Sequence, residues 1–488
     1  MFTRLLPLAL IALAAPALAE APLQQRIEDT LAKAPAGTRF GLLVVDDQGH
    51  EVVAVDPDKR FIPASNTKLF TTAAALEVMS QDQPDPRFAS TGLALVPNGR
   101  KAPDLLLTGG GVNLSTAPDC KQRCLSQLVD PIAARTRKVG DLIADDTLFA
   151  DQRWSPGMSW NNIQTDSGTA TSALIVDDNE LPLVVTPGTA GSAPTVTVSP
   201  YYTLRNEAMT VAEGETRLAY ERAPNSFELR LYGTIRADAK PWRELLGIDD
   251  PAHYAAWSLR RALEARQVKV TGRLVVRHRP VAEGGPTLAL SPAKTQTFAV
   301  LVPAPPLEEE AAIINKPSQN LHAEVLLRRL GIAWASRDIF DAPRSAQFGS
   351  LEAGLAAERA VFNTAGIPRA GYDFSDGSGM STYNRVSPRA AVALLRWASG
   401  RPWGAAWRAS LPVGGTDGTL GRRFKGTALE GKLWAKTGTL NATNALSGYF
   451  VAASGREFTF SIFANDVPDG TSALAAMDAA LILIAAGN

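Results

Sequence analysis

The chain has 488 residues, too many for one ordinary domain, and its 49 basic and 49 acidic side chains balance. That balance gives no general attraction to nucleic acid or to an anionic membrane, so neither is an expected partner. Hydrophobic residues make up 45% of the chain and charged residues 20%, which favours a globular protein with substantial cores.

Residues 1–19 have the pattern of a signal peptide. Arg4 precedes the apolar run at 5–15, and Ala17-Leu18-Ala19 fits the small-x-small cleavage motif. The run is shorter than the ~20 residues that a membrane-spanning helix needs. The sequence therefore predicts cleavage after Ala19, a periplasmic location, and no integral membrane segment in the mature protein.

Strand-like and helical patterns occur near both ends of the mature chain. The strand-like segments are residues 40–46, 51–55, 432–439, 445–453 and 457–463. The helical segments are residues 24–33, 66–79 and 471–486. We therefore expect an α+β fold in which one antiparallel sheet, flanked by helices, is assembled from both ends of the chain.

The middle of the chain, residues 91–289, holds many short strand-like runs broken by Pro, Gly and Asp. We interpret it as an inserted, mainly β accessory region of two subdomains, since insertions are tolerated where their ends lie close together. The catalytic core is then discontinuous and comprises residues 20–90 and 290–488.

The two cysteines, Cys120 and Cys124, lie in this predicted insertion. An oxidising compartment favours a disulfide between them. A metal site would need more ligands, and no histidine lies near them. The alternative is a pair of free thiols; we favour the disulfide and expect no metal.

Ser65-Asn66-Thr67-Lys68 opens the predicted helix at 66–79. At helical spacing Ser65 and Lys68 lie on the same face. A serine hydroxyl is a weak nucleophile until a base takes its proton, and a lysine kept neutral by burial and nearby cations can be that base. A second S-x-x-K match begins at Ser291, but it precedes a strand-like run, so we interpret it as a chance match.

Two further motifs follow in order. Ser318-Gln319-Asn320 precedes an apolar helical run, and Lys436-Thr437-Gly438-Thr439 lies on a predicted strand. A second serine can relay a proton to a leaving amine, an asparagine amide can hold a peptide backbone, and a lysine can bind a terminal carboxylate. Either motif alone has an ordinary structural explanation, as a helix cap or a solvated strand. The three in order favour serine acyl transfer without a cofactor.

With these motifs the sequence resembles the D-alanyl-D-alanine carboxypeptidases of the class C low-molecular-mass penicillin-binding proteins. The stretches INKPSQNLHAE at 314–324 and DGSGMS at 376–381 carry the resemblance further, as does the block at 411–420. The similarity spans nearly the whole mature chain. It implies a penicillin-binding/β-lactamase-like transpeptidase core with a large insertion.

The resemblance also implies a role for each motif residue. Ser65 would be the acylated nucleophile, Lys68 the general base and Ser318 a proton relay, and backbone N–H groups of Ser65 and Thr439 would form the oxyanion hole. The substrates would be peptidoglycan stem peptides, with cross-link cleavage as a second activity and β-lactams as covalent inhibitors. The residues that would bind substrate are Asn320, Lys436, Thr437, Gly438 and Thr439.

In relatives, an acid of the insertion and an arginine after the D-G-S-G-L-S stretch lie where the stem's diaminopimelate side chain binds. Asp145 is the candidate acid here, and Thr382 stands in the arginine's place. Thr382 lacks the charge and the bidentate grip of arginine, although Arg385 is close in sequence. We therefore expect weaker discrimination for a free diaminopimelate end.

Two other functions remain open at this point. A β-lactamase shares the acylation step and differs in fast hydrolysis of the acyl-enzyme, but the long insertion favours work on peptidoglycan. A non-catalytic envelope-binding protein of the same fold is the other alternative. The presence of Ser65, Lys68, Ser318 and Lys436 together favours an enzyme.

Overall fold

The computed structural model describes residues 21–80, 89–99, 102–281, 297–335 and 348–488, so the predictions for 1–19 and Ser291 lie outside the described residues. The helices in these ranges are α1 Leu23–Leu31, α2 Thr67–Met79, α3 Leu125–Arg135, α4 Pro251–Glu264, α5 Leu307–Asn315, α6 Asn320–Ala335, α7 Leu351–Thr364, α8 Pro388–Ser399, α9 Gly404–Ala409 and α10 Leu474–Gly487. None of them is both long and apolar enough to cross a membrane.

The strands in the same ranges fall into a set from the two chain ends and a set from the middle. They are β1 Arg39–Asp46, β2 Glu51–Val55, β3 Ser90–Val96, β4 Asp104–Thr108, β5 Val112–Leu114, β6 Lys138–Val139, β7 Leu142–Ala150, β8 Leu174–Val176, β9 Glu180–Thr186, β10 Thr195–Val198, β11 Thr203–Asn206, β12 Met209–Val211, β13 Arg217–Glu221, β14 Glu228–Arg236, β15 Trp242–Gly247, β16 Lys269–Val270, β17 Leu274–Arg279, β18 Val300–Pro303, β19 Tyr372–Asp373, β20 Arg385–Val386, β21 Leu433–Leu440, β22 Thr443–Val451 and β23 Glu457–Asn465.

The core sheet is antiparallel and has the order β2-β1-β23-β22-β21. The first two of its strands come from the N-terminal part of the chain and the other three from the C-terminal part, and β1 pairs with β23 along its whole length. This confirms the predicted sheet built from both chain ends. The sheet is what brings the Ser65 segment and the Lys436 segment together.

Both faces of this sheet are covered, because successive side chains of a strand point to opposite faces. On β1, Leu42 and Val44 pack in the cluster that includes α1 and α10. Leu43 and Val45 point the other way and pack against Val392 of α8. Strand β22 is likewise covered on both faces, since eight of its nine residues are buried.

Helix α2 runs through the centre of the helical layer. All of its residues except Glu77 are buried, and it packs against α5, α6 and α7. A helix that is apolar around its whole circumference belongs in a core, and the Leu, Phe, Thr and Ala side chains of α2 meet that condition. Lys68 on this helix is therefore enclosed on all sides.

The middle of the chain forms a separate, mainly β region with its own core. Its largest sheet has the order β17-β7-β4-β3-β18, and β10-β9-β15 and β11-β14-β12 form smaller sheets. Residues from these sheets and from α3 and α4 pack in one hydrophobic cluster. Strand β18 lies beyond the predicted end at 289 yet pairs with β3, so the described insertion extends to Pro303. Its division into two subdomains stays a prediction.

The cysteine pair lies at the start of α3 in this region. Cys120 and Cys124 are joined by a disulfide, with their Cα atoms 5.8 Å apart. The predicted bond is therefore present in the structure. It closes the short loop that leads into α3.

Candidate active site

Ser65 lies on a tight 3-10 turn, Ala64–Asn66, that leads directly into α2. Ala64 has a φ of 46°, in the left-handed region that side chains rarely adopt. The segment before the turn is held by Asn465 of β23, whose Oδ1 accepts from Ile62 N at 2.7 Å. Its Nδ2 donates to Ile62 O at 3.2 Å. The turn is thus fixed by both the helix and the core sheet.

A second loop packs tightly against this turn. Gly379 has a φ of 92°, and a Cβ atom there would lie 1.9 Å from Ala64 O. Glycine is therefore required, both for the backbone conformation and for the close approach. This contact places the loop at 376–381 directly beside Ser65.

Lys68 is the centre of the site. Its Nζ lies 2.9 Å from Ser65 Oγ, 2.6 Å from Asn320 Oδ1 and 2.6 Å from Ser378 O. The side chain is fully buried, and this desolvation lowers its pKa to about 7 against the opposing influence of Asp376 and Glu324. Lys68 is therefore neutral in about half of the protein molecules at pH 7.

The chemistry of the three partners fixes the direction of the Lys68 lone pair. The amide oxygen of Asn320 and the carbonyl oxygen of Ser378 can only accept hydrogen bonds, whereas the hydroxyl of Ser65 can also donate. A neutral amine has two N–H groups and one lone pair. It is fully satisfied here when it donates to the two oxygens and accepts from Ser65.

A second buried lysine faces the second serine. Lys436 Nζ donates to Ser318 Oγ at 2.9 Å and to Thr437 O at 3.1 Å. Burial lowers the pKa of Lys436 well below its usual value, and the nearby charge of Lys68 lowers it further. Ser318 has a φ of 70° just before α6 begins. The second motif thus meets the other two: Asn320 accepts from Lys68 of the first motif, and Ser318 accepts from Lys436 of the third.

Strand β21 forms the outer edge of the core sheet at this site. Thr437 is half-buried, and its Oγ1 lies 2.6 Å from Thr419 Oγ1, whereas Thr439 is exposed. At Gly438 a Cβ atom would lie 2.7 Å from Pro63 O, so glycine lets the strand approach the Ser65 turn. An exposed edge of this kind can pair with an extended peptide.

Two buried acids, to which sequence reasoning gave no role, shape the loop beside Ser65. Glu324 Oε1 accepts from the backbone N of Gly377 and of Ser378, each at 3.0 Å. Asp376 accepts from the backbone N of Gly379 at 2.9 Å, and burial raises its pKa to about 6. These bonds hold the carbonyl of Ser378 toward Lys68. The signal was present in the sequence, since Glu324 lies four residues after Asn320 on one face of α6.

The insertion contributes directly to the site. Ser167 O accepts from Asn320 Nδ2 at 3.1 Å, which leaves Oδ1 of the same amide for Lys68. Gln319 Nε2 donates to Glu180 Oε1 at 3.1 Å, and burial raises the pKa of Glu180 to about 7. The second motif is therefore held from the core side and from the insertion side.

A cleft opens beside Lys68 at this junction of core and insertion. One wall comes from the insertion and the other from α6 and the loop at 376–381. Its lining residues are Arg153, Trp154, Ser155, Met158, Ser167, Thr169, Thr171, Asn320, Leu321, Glu324, Asp376, Ser378 and Met380. Within the described ranges, no group of three or more His, Cys, Asp or Glu side chains is arranged to hold a metal ion.

The predicted specificity residues lie in different surroundings. Asp145 is buried, accepts from Thr147 N at 3.1 Å and lies 3.7 Å from Arg277 Nη1, and none of its contacts among the described residues is to Lys68 or its partners. Thr382 Oγ1 donates to the backbone O of residue 157 at 3.0 Å. The Arg385 guanidinium donates to Thr382 O at 2.7 Å, so it is held against the backbone. The role of Asp145 stays a prediction.

Residues 23–486 match the model of the D-Ala-D-Ala carboxypeptidase 3 (S13) family. The chain belongs to this family. A D-alanyl-D-alanine carboxypeptidase of Actinomadura sp. strain R39 is 34% identical, over 99% of this chain and 88% of that protein. The D-alanyl-D-alanine carboxypeptidase DacB of Haemophilus influenzae is 22% identical, over 91% of this chain and 89% of that protein.

The fold of this S13 family member is also found in a solved structure. Penicillin binding protein 4 of Haemophilus influenzae superposes with a TM-score of 0.78 at 21% identity, over 93% of this chain and 98% of that one. The predicted penicillin-binding, α+β fold with a large additional β region is confirmed. Family membership likewise confirms the prediction of a serine-type D-Ala-D-Ala carboxypeptidase.

Proposed function

We propose that this S13 carboxypeptidase acts in the periplasm on peptidoglycan stem peptides, and that it forms its acyl-enzyme on Ser65. The observation that carries the proposal is the contact of buried Lys68 Nζ with Ser65 Oγ, 2.9 Å apart. Because the other two Lys68 partners only accept hydrogen bonds, the neutral amine turns its lone pair to the Ser65 hydroxyl. A base so placed can take the hydroxyl proton as the nucleophile attacks.

In the acylation step, Ser65 Oγ attacks the carbonyl carbon of the penultimate D-alanine and its proton passes to Lys68. Backbone N–H groups of Ser65 and Thr439 stabilise the oxyanion. The new Oγ–C bond formed by this attack remains, and the C–N bond to the terminal D-alanine breaks. Ser318 Oγ relays a proton to the leaving amine. Water then hydrolyses the ester and restores Ser65.

Lys436 binds the terminal carboxylate of the substrate, with the Thr437 hydroxyl as a second donor. A carboxylate beside Lys436 favours its charged form, which reverses the effect of burial on its pKa in the free enzyme. Asn320 and the edge of β21 near Gly438 hold the extended stem. A cross-link between two stems is cleaved at the same site when the bond that breaks has stereochemistry similar to that of D-Ala-D-Ala.

β-Lactams acylate Ser65 as covalent inhibitors in this proposal. Penicillin binding protein 4 of Haemophilus influenzae, which shares the fold, is also known in complex with a β-lactam. A β-lactamase with the same residues differs in hydrolysing that acyl-enzyme rapidly. The lifetime of the penicilloyl-enzyme therefore separates the two functions.

The test is labelling with a fluorescent penicillin, followed by mass mapping of the labelled peptide. Ser65→Ala should abolish labelling, while the matched variant Ser291→Ala in the second S-x-x-K match should label like the parent. A label on the peptide that contains Ser291 contradicts the assignment of the nucleophile.

The residue at position 382 affects how strongly the site selects a stem with a free diaminopimelate end. We propose that Asp145 pairs with the side-chain amine of the stem, and that Thr382 gives no charged contact to its carboxylate. Arg385 does not take the arginine's place in this proposal, because backbone carbonyls already hold its guanidinium. A free diaminopimelate end is then only weakly selected.

A further inference from the structure

A second cavity lies in the insertion, next to the active-site cleft. It measures about 210 Å³, and its wall includes Asn225, Phe227 and Asp249. Arg153, which lines the cleft, reaches this wall: its Nη1 lies 3.3 Å from Asn225 Oδ1 and 2.6 Å from Asp249 O. Arg153 therefore lines the cleft and also contacts the wall of the cavity.

Aromatic rings form one side of this cavity. Phe227 lines the cavity and is 46% exposed. Its ring packs edge-on against Tyr201, with centroids 5.3 Å apart, and lies 5.3 Å from the ring of His253. Tyr201 is buried beneath it, and its hydroxyl lies 3.2 Å from His253 Nδ1. The cavity thus offers a fixed aromatic platform with polar groups around it.

The charges around the cavity are already paired with one another. Arg222 and Asp249 form a buried bidentate pair, with both N–O distances at 2.6 Å. Asp250 accepts from His253 N at 2.9 Å at the start of α4 and also faces Arg153. A charged ligand would have no unpaired partner among these groups. The cavity instead suits a neutral ligand that carries hydroxyl and amide groups.

We propose that this cavity binds one sugar ring of the peptidoglycan glycan strand, an inference that rests on the proposed action on peptidoglycan. The cavity is smaller than the ~300 Å³ at which sites for drug-sized ligands begin, so it fits a single ring. The apolar face of that ring stacks on Phe227 while its hydroxyl and acetamido groups meet the polar wall. An extended stem of five residues spans about 17 Å and joins the glycan strand to the D-alanine end that Ser65 attacks.

The first test measures binding of N,N′-diacetylchitobiose, a neutral disaccharide, to protein whose Ser65 is already acylated by penicillin. The acylated parent should bind the sugar, and Phe227→Ala should weaken binding by about three- to tenfold through loss of the stacked ring. Phe227→Trp should restore it. Met209→Ala is the matched control, since Met209 is 44% exposed on β12 of the same region and does not line the cavity. Equal binding by the Phe227→Ala variant and the parent overturns the site, as does no binding by the acylated parent.

The second test compares kcat/KM for D-alanine release from a stem peptide with and without its disaccharide. Phe227→Ala should lower the ratio of the two values, whereas Met209→Ala should leave the ratio at the parental level. If the parent releases D-alanine from both substrates and Phe227→Ala leaves the ratio of the two kcat/KM values unchanged, the sugar site alone is overturned. No release from either substrate by the parent overturns the proposed function itself.

Discussion

The rate of acylation by penicillin should follow the deprotonation of Lys68. Since burial holds the pKa of Lys68 at about 7, the neutral fraction is about one half at pH 7, about one tenth at pH 6 and about 1% at pH 5. Acylation at pH 5 should therefore be roughly 100-fold slower than on the plateau above pH 8. A lysine with its ordinary pKa of 10.5 would instead give a rate that still rises about tenfold per pH unit at pH 8.

The assay is rapid-quench labelling with a fluorescent penicillin from pH 5 to pH 9. Lys68→Arg keeps a cation that does not deprotonate, so its rate should fall by about 10²- to 10⁴-fold and lose the rise near pH 7. Lys432→Arg, the same exchange at an exposed position, should behave like the parent. A parental rate that is flat from pH 5 to pH 8, or a Lys68→Arg variant as fast as the parent, would refute the role of Lys68.

Three further variants test other parts of the site. Gly379→Ala should slow acylation by at least about tenfold, because the new Cβ would displace Ala64 and with it Ser65. The control is Gly366→Ala, which should acylate normally: Gly366 also has a positive φ, 71°, but a Cβ there would have no atom within 4 Å. Burial raises the pKa of Glu358 to about 8. Between pH 4.5 and pH 8 the folded state therefore keeps a proton that the unfolded state has released. The free energy of unfolding falls as the pH rises through this range. Urea unfolding should show this fall as the difference between the parent and Glu358→Gln, up to about 3 kcal/mol at pH 7; equal pH slopes would contradict it. Thr382→Arg should widen the ratio of kcat/KM for peptides with and without a free diaminopimelate end, and an unchanged ratio would count against this reading of position 382.

The sequence alone identified the residues that meet around Lys68 because each motif lies at the start of an element or on a strand. Helical spacing put Ser65 and Lys68 on one face, and the order of the three motifs with the family resemblance implied that Lys436 belongs to the same site. The contact of Lys68 with Ser378 O was not predictable in this way. It depends on backbone bonds to Asp376 within the loop and to Glu324 of α6, more than fifty residues before the loop and far from Lys68 in the sequence.

The limits of the fold prediction have a similar cause. Residues 445–453 were predicted as a strand that the structure places at Thr443–Val451, because a strand buried on both faces has no polar alternation to mark its ends. In the insertion, β4 pairs in parallel with β7, and β18 pairs with β3 from beyond the predicted boundary. Such pairings join distant segments, so local sequence patterns do not reveal them.

The pairing of β1 with β23 also governs when this protein can become active. Most of the chain lies between β1 and its partner β23. Pairings between such distant segments form slowly, because a very long loop must close first. Asn465, which fixes the segment before Ser65, lies on the same late strand. A polypeptide that stops before residue 457 lacks the partner strand of β1 and the Asn465 bonds to the segment before Ser65, so incomplete products of synthesis should not react with a β-lactam.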